Sequence, residues 1–134
     1  MIIYCMSIRE PHASLFLCGK KHFETRNRRT KYRGIIYIQS AFNFGDDDEL
    51  NKELIAELGY VPETCGYIIF KAELTDCIPI TEEFKATLSE TELKNGYYDR
   101  KYVYKLENIE PVNPFRVKGL PSVPFKVDVE ESYL

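Results

Sequence analysis

No stretch of this 134-residue chain approaches the roughly 18 consecutive apolar residues that a membrane-spanning helix needs. The start of the chain also lacks the basic opening and long apolar run of a secretory signal. These two absences predict a cytoplasmic protein with no membrane partner. Histidine is scarce, limited to His12 and His22, and the four cysteines, Cys5, Cys18, Cys65 and Cys77, stand far apart with no CxxC or HxxxH spacing. No zinc set can be read from that supply, so neither a metal nor another cofactor is expected. In a reducing compartment the thiols should stay free. Internal repeats, low-complexity tracts and flexible linkers are missing too. With 44% apolar residues the chain can bury one core unaided, and a single domain over residues 1–134 is expected.

What the chain does have is an uneven charge. Residues 20–33 hold seven basic side chains, Lys20, Lys21, Arg26, Arg28, Arg29, Lys31 and Arg33, against the single acid Glu24. That is a local +6 in a chain of net −3, so the remainder carries −9. An acidic body with one basic pole discourages indiscriminate polyanion binding while leaving one surface that attracts phosphate.

Ile2, Tyr4 and Met6 alternate with Ile3, Cys5 and Ser7 and predict a first strand. Pro11 suits a first helical turn and Gly19 a left-handed stop, which predicts a short helix over residues 11–18. Residues 21–26 read as a strand with His22, Glu24 and Arg26 on one face and Phe23 and Thr25 on the other. Residues 34–40 are β-branched and apolar on both faces, as a central strand would be. Residues 46–49 bring negative charge to the first turn of a helix carrying Leu50, Leu54, Ile55 and Leu58 and closed by Gly59; the Asp46, Asp47 and Asp48 run fits capping and solubility better than a cation site. A third β run covers residues 66–77, helix signals with a Ser89 to Glu92 capping box cover 81–95, and another strand covers 102–109. Pro111, Pro114, Pro121 and Pro124 cannot donate into a ladder, so the remaining strands should be short or at an edge until residues 125–129. Five or six strands with interspersed short helices and no regular βαβ units predict an α+β fold, a closed or nearly closed β-barrel decorated with helices.

Gly19, Lys21, Glu24 and Arg26 fit the pattern GxKxxExR. Around them, residues 7–13 form a strand-to-helix lead-in, Tyr32, Arg33 and Gly34 precede a β run, and residues 68–77, 100–111 and 117–119 follow in order. In these features the chain resembles the ASCH (activating signal cointegrator homology) domain family, over nearly its whole length. The resemblance implies a PUA-like barrel and recognition of RNA or another nucleic acid, with the motif residues lining a cleft between barrel and helix. It also implies possible kinship with small hydrolases, among them an amidohydrolase on an acetylated cytidine and proteins described as ribonucleases. The amidohydrolase branch uses a threonine nucleophile where this chain has Glu24, which argues against that acyl-transfer mechanism. Glu10 stands where a glutamine is common and His12 where a large aromatic is common, both expected at the cleft edge.

The residue chemistry allows two main readings. In the first, Lys21, Arg26 and the loop side chains Arg28, Arg29, Lys31 and Arg33 bind phosphates, Tyr32 offers a stacking surface, and Glu24 accepts hydrogen bonds from a base or ribose. Single-stranded RNA or an unstacked nucleoside fits better than duplex DNA, because no recognition helix with a basic face is present. In the second, the protein is a hydrolase in which Lys21 activates, Glu24 is the general base for water and Arg26 stabilises an oxyanion. A protein-interaction module is a third possibility. Each feature has a plainer explanation beside it: Glu24 and Arg26 could simply neutralise each other, and the basic loop could simply be solvated. A Lys21 half-buried beside Arg26 should have a lowered pKa. His12, expected on the helix surface, His22, Ser40 and Asn43 are placed at the rim, where ordinary turn and surface chemistry would also put them. Tyr97, Tyr98 and Tyr102 stack bases or cap the core, with the core favoured for Tyr102.

Overall fold

The computed structural model describes residues 1–44 and 48–134. Asp46 and Asp47 of the acidic run lie outside the described residues, as do the side chains of Asn43 and Asp48. Among the described residues six strands form one mixed sheet: β1 (Ile2–Glu10), β2 (Phe23–Arg26), β3 (Gly34–Phe44), β4 (Tyr67–Pro79), β5 (Tyr102–Arg116) and β6 (Phe125–Asp128). The same residues form four short helices, α1 (His12–Leu17), α2 (Asp48–Leu58), α3 (Glu82–Ala86) and α4 (Glu90–Lys94), and a 3-10 turn over Glu131–Tyr133. The fold is α+β.

The strand order is β2-β5-β4-β3-β1-β6. β1 runs parallel to β3, and the other pairs are antiparallel. β3 is central, as its two apolar faces require: Ile36 and Ile38 enter one core cluster with Met6, Ile8, Phe16, Phe70 and Leu74, while Tyr37 enters a second with Ile3, Cys5, Ile68, Phe115 and Phe125. Each fully buried aliphatic or aromatic side chain in these clusters contributes about 1.5–3 kcal/mol of burial free energy.

The helix signals over residues 81–95 take the form of two short helices; Thr81 caps α3 by accepting from the Phe84 amide, and Ser89 caps α4 by accepting from the Glu92 amide. Two details of the sequence expectation change. The strand expected over residues 102–109 is longer: β5 continues through Pro111 and Pro114 to Arg116. This is compatible with proline because β2 pairs with β5 only from Tyr102 to Lys105, so beyond that point β5 has a ladder on its β4 side alone. Register shifts along the β4–β5 ladder bend the pair, and Asn108, at φ 55°, lies in the shifted stretch. Finally, among the described residues no ladder joins β2 to β6, so the sheet curls without closing as a barrel.

α1 is fixed at both ends. The buried Glu10 carboxylate accepts from the Ser14 amide and hydroxyl, both at 2.9 Å, and from the Ser40 hydroxyl at 2.5 Å. At the other end Gly19, at φ 79°, lets its own amide reach the Phe16 carbonyl and the Lys20 amide reach that of Leu15. That pair of bonds is the left-handed Schellman stop, and it sets the direction in which Lys20 and Lys21 leave the helix.

Candidate nucleic-acid interface

The four residues of β2 carry the centre of the site. Alternation along the strand puts Glu24 and Arg26 on one side, and the pair forms an ion contact of 3.2 Å. Glu24 is 7% exposed, and both its oxygens are engaged: Oε1 accepts from the Thr25 amide at 3.1 Å and Oε2 from Arg26. Burial pushes the Glu24 carboxyl pKa up, but Arg26, Lys21 and His12 outweigh it and hold the pKa below the ordinary value. Arg26 also donates to the Ser7 carbonyl on β1. β1 and β2 stand near opposite ends of the strand order, so this side chain spans the seam that no backbone ladder closes.

A cleft of about 370 Å³ opens along that seam, lined by Arg9, His12, Glu24, Arg26, Tyr97 and Arg100, with Ser7, Ile8, Asn27, Ala41 and Pro121 completing it. Three arginines and one buried carboxylate thus line the same cleft, and of the three Arg26 pairs with that carboxylate. Arg100 precedes β5, donates to the Thr25 carbonyl at 2.9 Å and lies 4.6 Å from the Tyr97 ring centroid. Tyr97 in turn lies 5.4 Å from the His12 ring. His12 is not on the helix surface: it is 4% exposed on the inner side of α1, and its pKa is lowered to about 4 by burial and by the positive charges of Lys21, Arg100 and Arg9.

A second cleft of about 300 Å³ adjoins the first through Arg26, Asn27 and Pro121 and is lined by Arg28, Arg29, Tyr104, Ser122 and Val123. The backbone of its basic loop is held by the protein, while the Arg28 and Arg29 side chains are exposed. The Tyr104 hydroxyl donates to the Arg28 carbonyl at 2.5 Å, Thr30 donates to the Val123 carbonyl at 3.1 Å, and the Lys101 amide donates to Asn27 at 3.2 Å.

The other sequence-predicted residues are placed elsewhere. Lys21 lines a separate small pocket of about 30 Å³ with His22, Phe23, Glu57, Asn95 and Tyr98. Its pKa is lowered by burial and by Arg100, against the pull of Glu24, so the like charge that matters is Arg100 and not the expected Arg26. His22 precedes β2 and is exposed, off the strand face shared by Glu24 and Arg26. Ser40 and Glu10 are 0% exposed and bond each other beneath α1 instead of meeting the cleft edge. Lys31 is exposed and lines neither cleft. Tyr32 stacks on Tyr4 at 5.0 Å, and Arg33 donates to the Thr30 and Tyr32 carbonyls at 3.0 and 2.8 Å and lies 3.7 Å from Asp76. Tyr98 is buried and its hydroxyl pKa is pushed up to about 12, chiefly by desolvation. Arg9 and Arg100 are the site residues that sequence reasoning passed over, because they lie outside the basic run and only the β1–α1 connection and the β2–β5 pairing bring them to it.

Gln39 ties β3 to the segment that leads from Val117 towards Pro121 on the cleft wall. Gln39 donates to the Gly66 and Val117 carbonyls at 3.1 and 2.7 Å and accepts from the Ser7 hydroxyl at 2.7 Å. Gly119 packs so closely on this side chain that a Cβ there would fall 2.2 Å from the Gln39 carbonyl oxygen.

Among the described residues no group of three or more histidine, cysteine, aspartate or glutamate side chains is placed to hold a metal, and no helix is long and apolar enough to cross a membrane. All four cysteines are free. No curated protein matches the chain. Solved structures with a similar fold include the ASCH protein of Zymomonas mobilis, at 14% identity and a TM-score of 0.56 over 97% of this chain and 89% of that one. Two single-residue variants of that protein are also similar, one at 13% identity, TM-score 0.55 and coverage of 97% and 89%. The other has 15% identity, TM-score 0.51 and coverage of 85% and 75%. At these identities the likeness concerns the fold, which agrees with the PUA-like expectation. The family assignment comes from the sequence itself: the ASCH domain model matches residues 6–113, and the chain belongs to the ASCH domain family.

Proposed function

We propose that this ASCH domain binds single-stranded RNA, taking one nucleotide unit into the seam cleft and leading the adjoining phosphates past Arg28 and Arg29. The observation that carries the reading is the convergence of Arg9, Arg26 and Arg100 with the Tyr97 ring around a cleft of about 370 Å³. Guanidinium groups give phosphate both charge and paired donors, and an aromatic face gives a base something to stack on. A volume above 300 Å³ is in the range of small-molecule sites. Lys21 contributes its charge from behind Glu24, and Tyr32, occupied with Tyr4, is not needed for contact.

The hydrolase alternative asks Glu24 to take a proton from water. Both its oxygens already accept hydrogen bonds, and its neighbours hold its pKa below the ordinary carboxylate value, which makes it a weak base. Binding is the reading these features support.

Calorimetric titration with a single-stranded RNA heptamer, beside a duplex DNA of equal phosphate count, tests it. RNA should bind more tightly than the duplex, with affinity that falls steeply as salt rises. Absence of RNA binding at low salt would remove the proposal.

A further inference from the structure

His12 is buried to within 4% of its surface, lines the seam cleft, and has no hydrogen-bond partner for Nδ1 or Nε2 among the described residues. A buried polar group without partners is costly, and a phenylalanine of similar shape would carry no such cost. The ring is therefore better explained by what it offers to an occupant of the cleft than by packing.

What it offers depends on its charge. Arg9, Arg26 and Arg100 line the same cleft, the Lys21 charge also acts on the ring, and the carboxylate Glu24 is already paired with Arg26. An imidazole in those surroundings stays neutral at physiological pH and presents one N–H donor and one acceptor nitrogen. Phosphate oxygens can only accept, and the arginines already supply donors for them in plenty. A ring that both donates and accepts matches the edge of a nucleobase, whose amino, imino and carbonyl groups do the same. Tyr97, in contact with His12, gives the base a flat neighbour.

We propose that His12 is the base-reading residue of the cleft, hydrogen-bonding the edge of an unstacked nucleobase while Arg9, Arg26 and Arg100 hold the phosphate. The assignment rests on the seam cleft being the RNA site. It makes His12 a specificity residue: its loss should erase preference among bases without weakening the hold on phosphate.

The four nucleoside 5′-monophosphates and ribose 5-phosphate, which lacks a base, provide the probes. On the wild-type chain the preferred monophosphate should bind about 10-fold more tightly than the least preferred one, a difference of about 1.4 kcal/mol. His12→Phe should bind ribose 5-phosphate as the wild type does and lose that preference, and His12→Asn, which keeps a donor and an acceptor, should recover part of it. Independently, the His12 imidazole nitrogen resonances of the wild-type chain should shift with the preferred monophosphate and not with ribose 5-phosphate. Should His12→Phe fail to fold, those resonances decide alone. Preference retained by His12→Phe, or resonances unmoved by a bound monophosphate, would overturn the role of His12 and leave the RNA site standing. If neither ribose 5-phosphate nor any monophosphate binds, the cleft itself is misassigned and the role of His12 falls with it.

Discussion

Arg26 donates to the Glu24 carboxylate at 3.2 Å and to the Ser7 carbonyl, so one guanidinium fastens β2 to β1 across a seam that the sheet leaves open. Removing it would leave a buried carboxylate without its main partner. With the Arg26 side chain 26% exposed, Arg26→Ala should cost about 2 kcal/mol, below the range for fully buried pairs. Arg26→Lys keeps the charge but neither the reach of Nη2, which donates to both acceptors, nor the paired donors that a guanidinium offers phosphate. It should lose less stability than Arg26→Ala while still weakening RNA binding about tenfold, as urea unfolding and calorimetry on the two variants would show.

Two buried groups make stability depend on pH in separate windows. The His12 pKa is lowered from 6.5 to about 4, so as pH falls below 6.5 the unfolded chain takes up a proton that the folded chain refuses. Stability from this source is complete above pH 6.5 and declines down to about pH 4, by about 3 kcal/mol in all. Glu24, with a folded pKa below 4.5, adds stability that is present above pH 4.5 and disappears as pH falls through its folded value. Denaturant unfolding of wild type and His12→Phe should give curves that diverge between pH 6.5 and 4 and run parallel above pH 6.5.

Gly119→Ala should act at a distance on the same cleft. Its new Cβ would collide with Gln39, which joins β3 to the Gly66 and Val117 carbonyls and to Ser7. Displacing a buried amide from three hydrogen bonds should cost about 1–3 kcal/mol. The melting temperature should fall, and the amide signals around Pro121 should shift with it.

The local part of this site is legible in the sequence, and the long-range part is not. Two-residue periodicity is enough to put Glu24 and Arg26 side by side, and a positive-φ glycine after a short helix is enough to stop α1 and turn Lys21 inward. Arg9 and Arg100 are different. They reach the cleft because β2 lies against the start of β5 and because β1 curls toward β2, and nothing in the spacing of residues states which strands will meet. The basic run misleads in the opposite direction: charge density alone cannot distinguish Arg28 and Arg29, which line a cleft, from Arg33, whose Nη1 donates to the Thr30 and Tyr32 carbonyls away from both clefts. Amphipathic logic assigns a lone polar residue such as His12 to solvent, whereas α1 buries five of its six residues, His12 among them.

Arg28 and Arg29 should affect salt dependence more than recognition. For single strands each neutralised phosphate contributes about −0.7 to the slope of log K against log salt. Arg28→Ala with Arg29→Ala should make the slope shallower by about 1.4 while leaving the relative affinities for different RNA sequences unchanged, measured by anisotropy from 50 to 300 mM salt, a range of about sixfold.

The most direct test of the seam cleft as the RNA site is the affinity of the double variant Arg9→Gln, Arg100→Gln for the single-stranded RNA heptamer, beside its thermal unfolding. Both residues line the cleft, neither belongs to the basic run, and the Glu24–Arg26 pair is left intact. The account predicts a folded protein whose RNA affinity falls at least about 30-fold, roughly 2 kcal/mol. A folded variant that binds the heptamer as tightly as the wild type would contradict it.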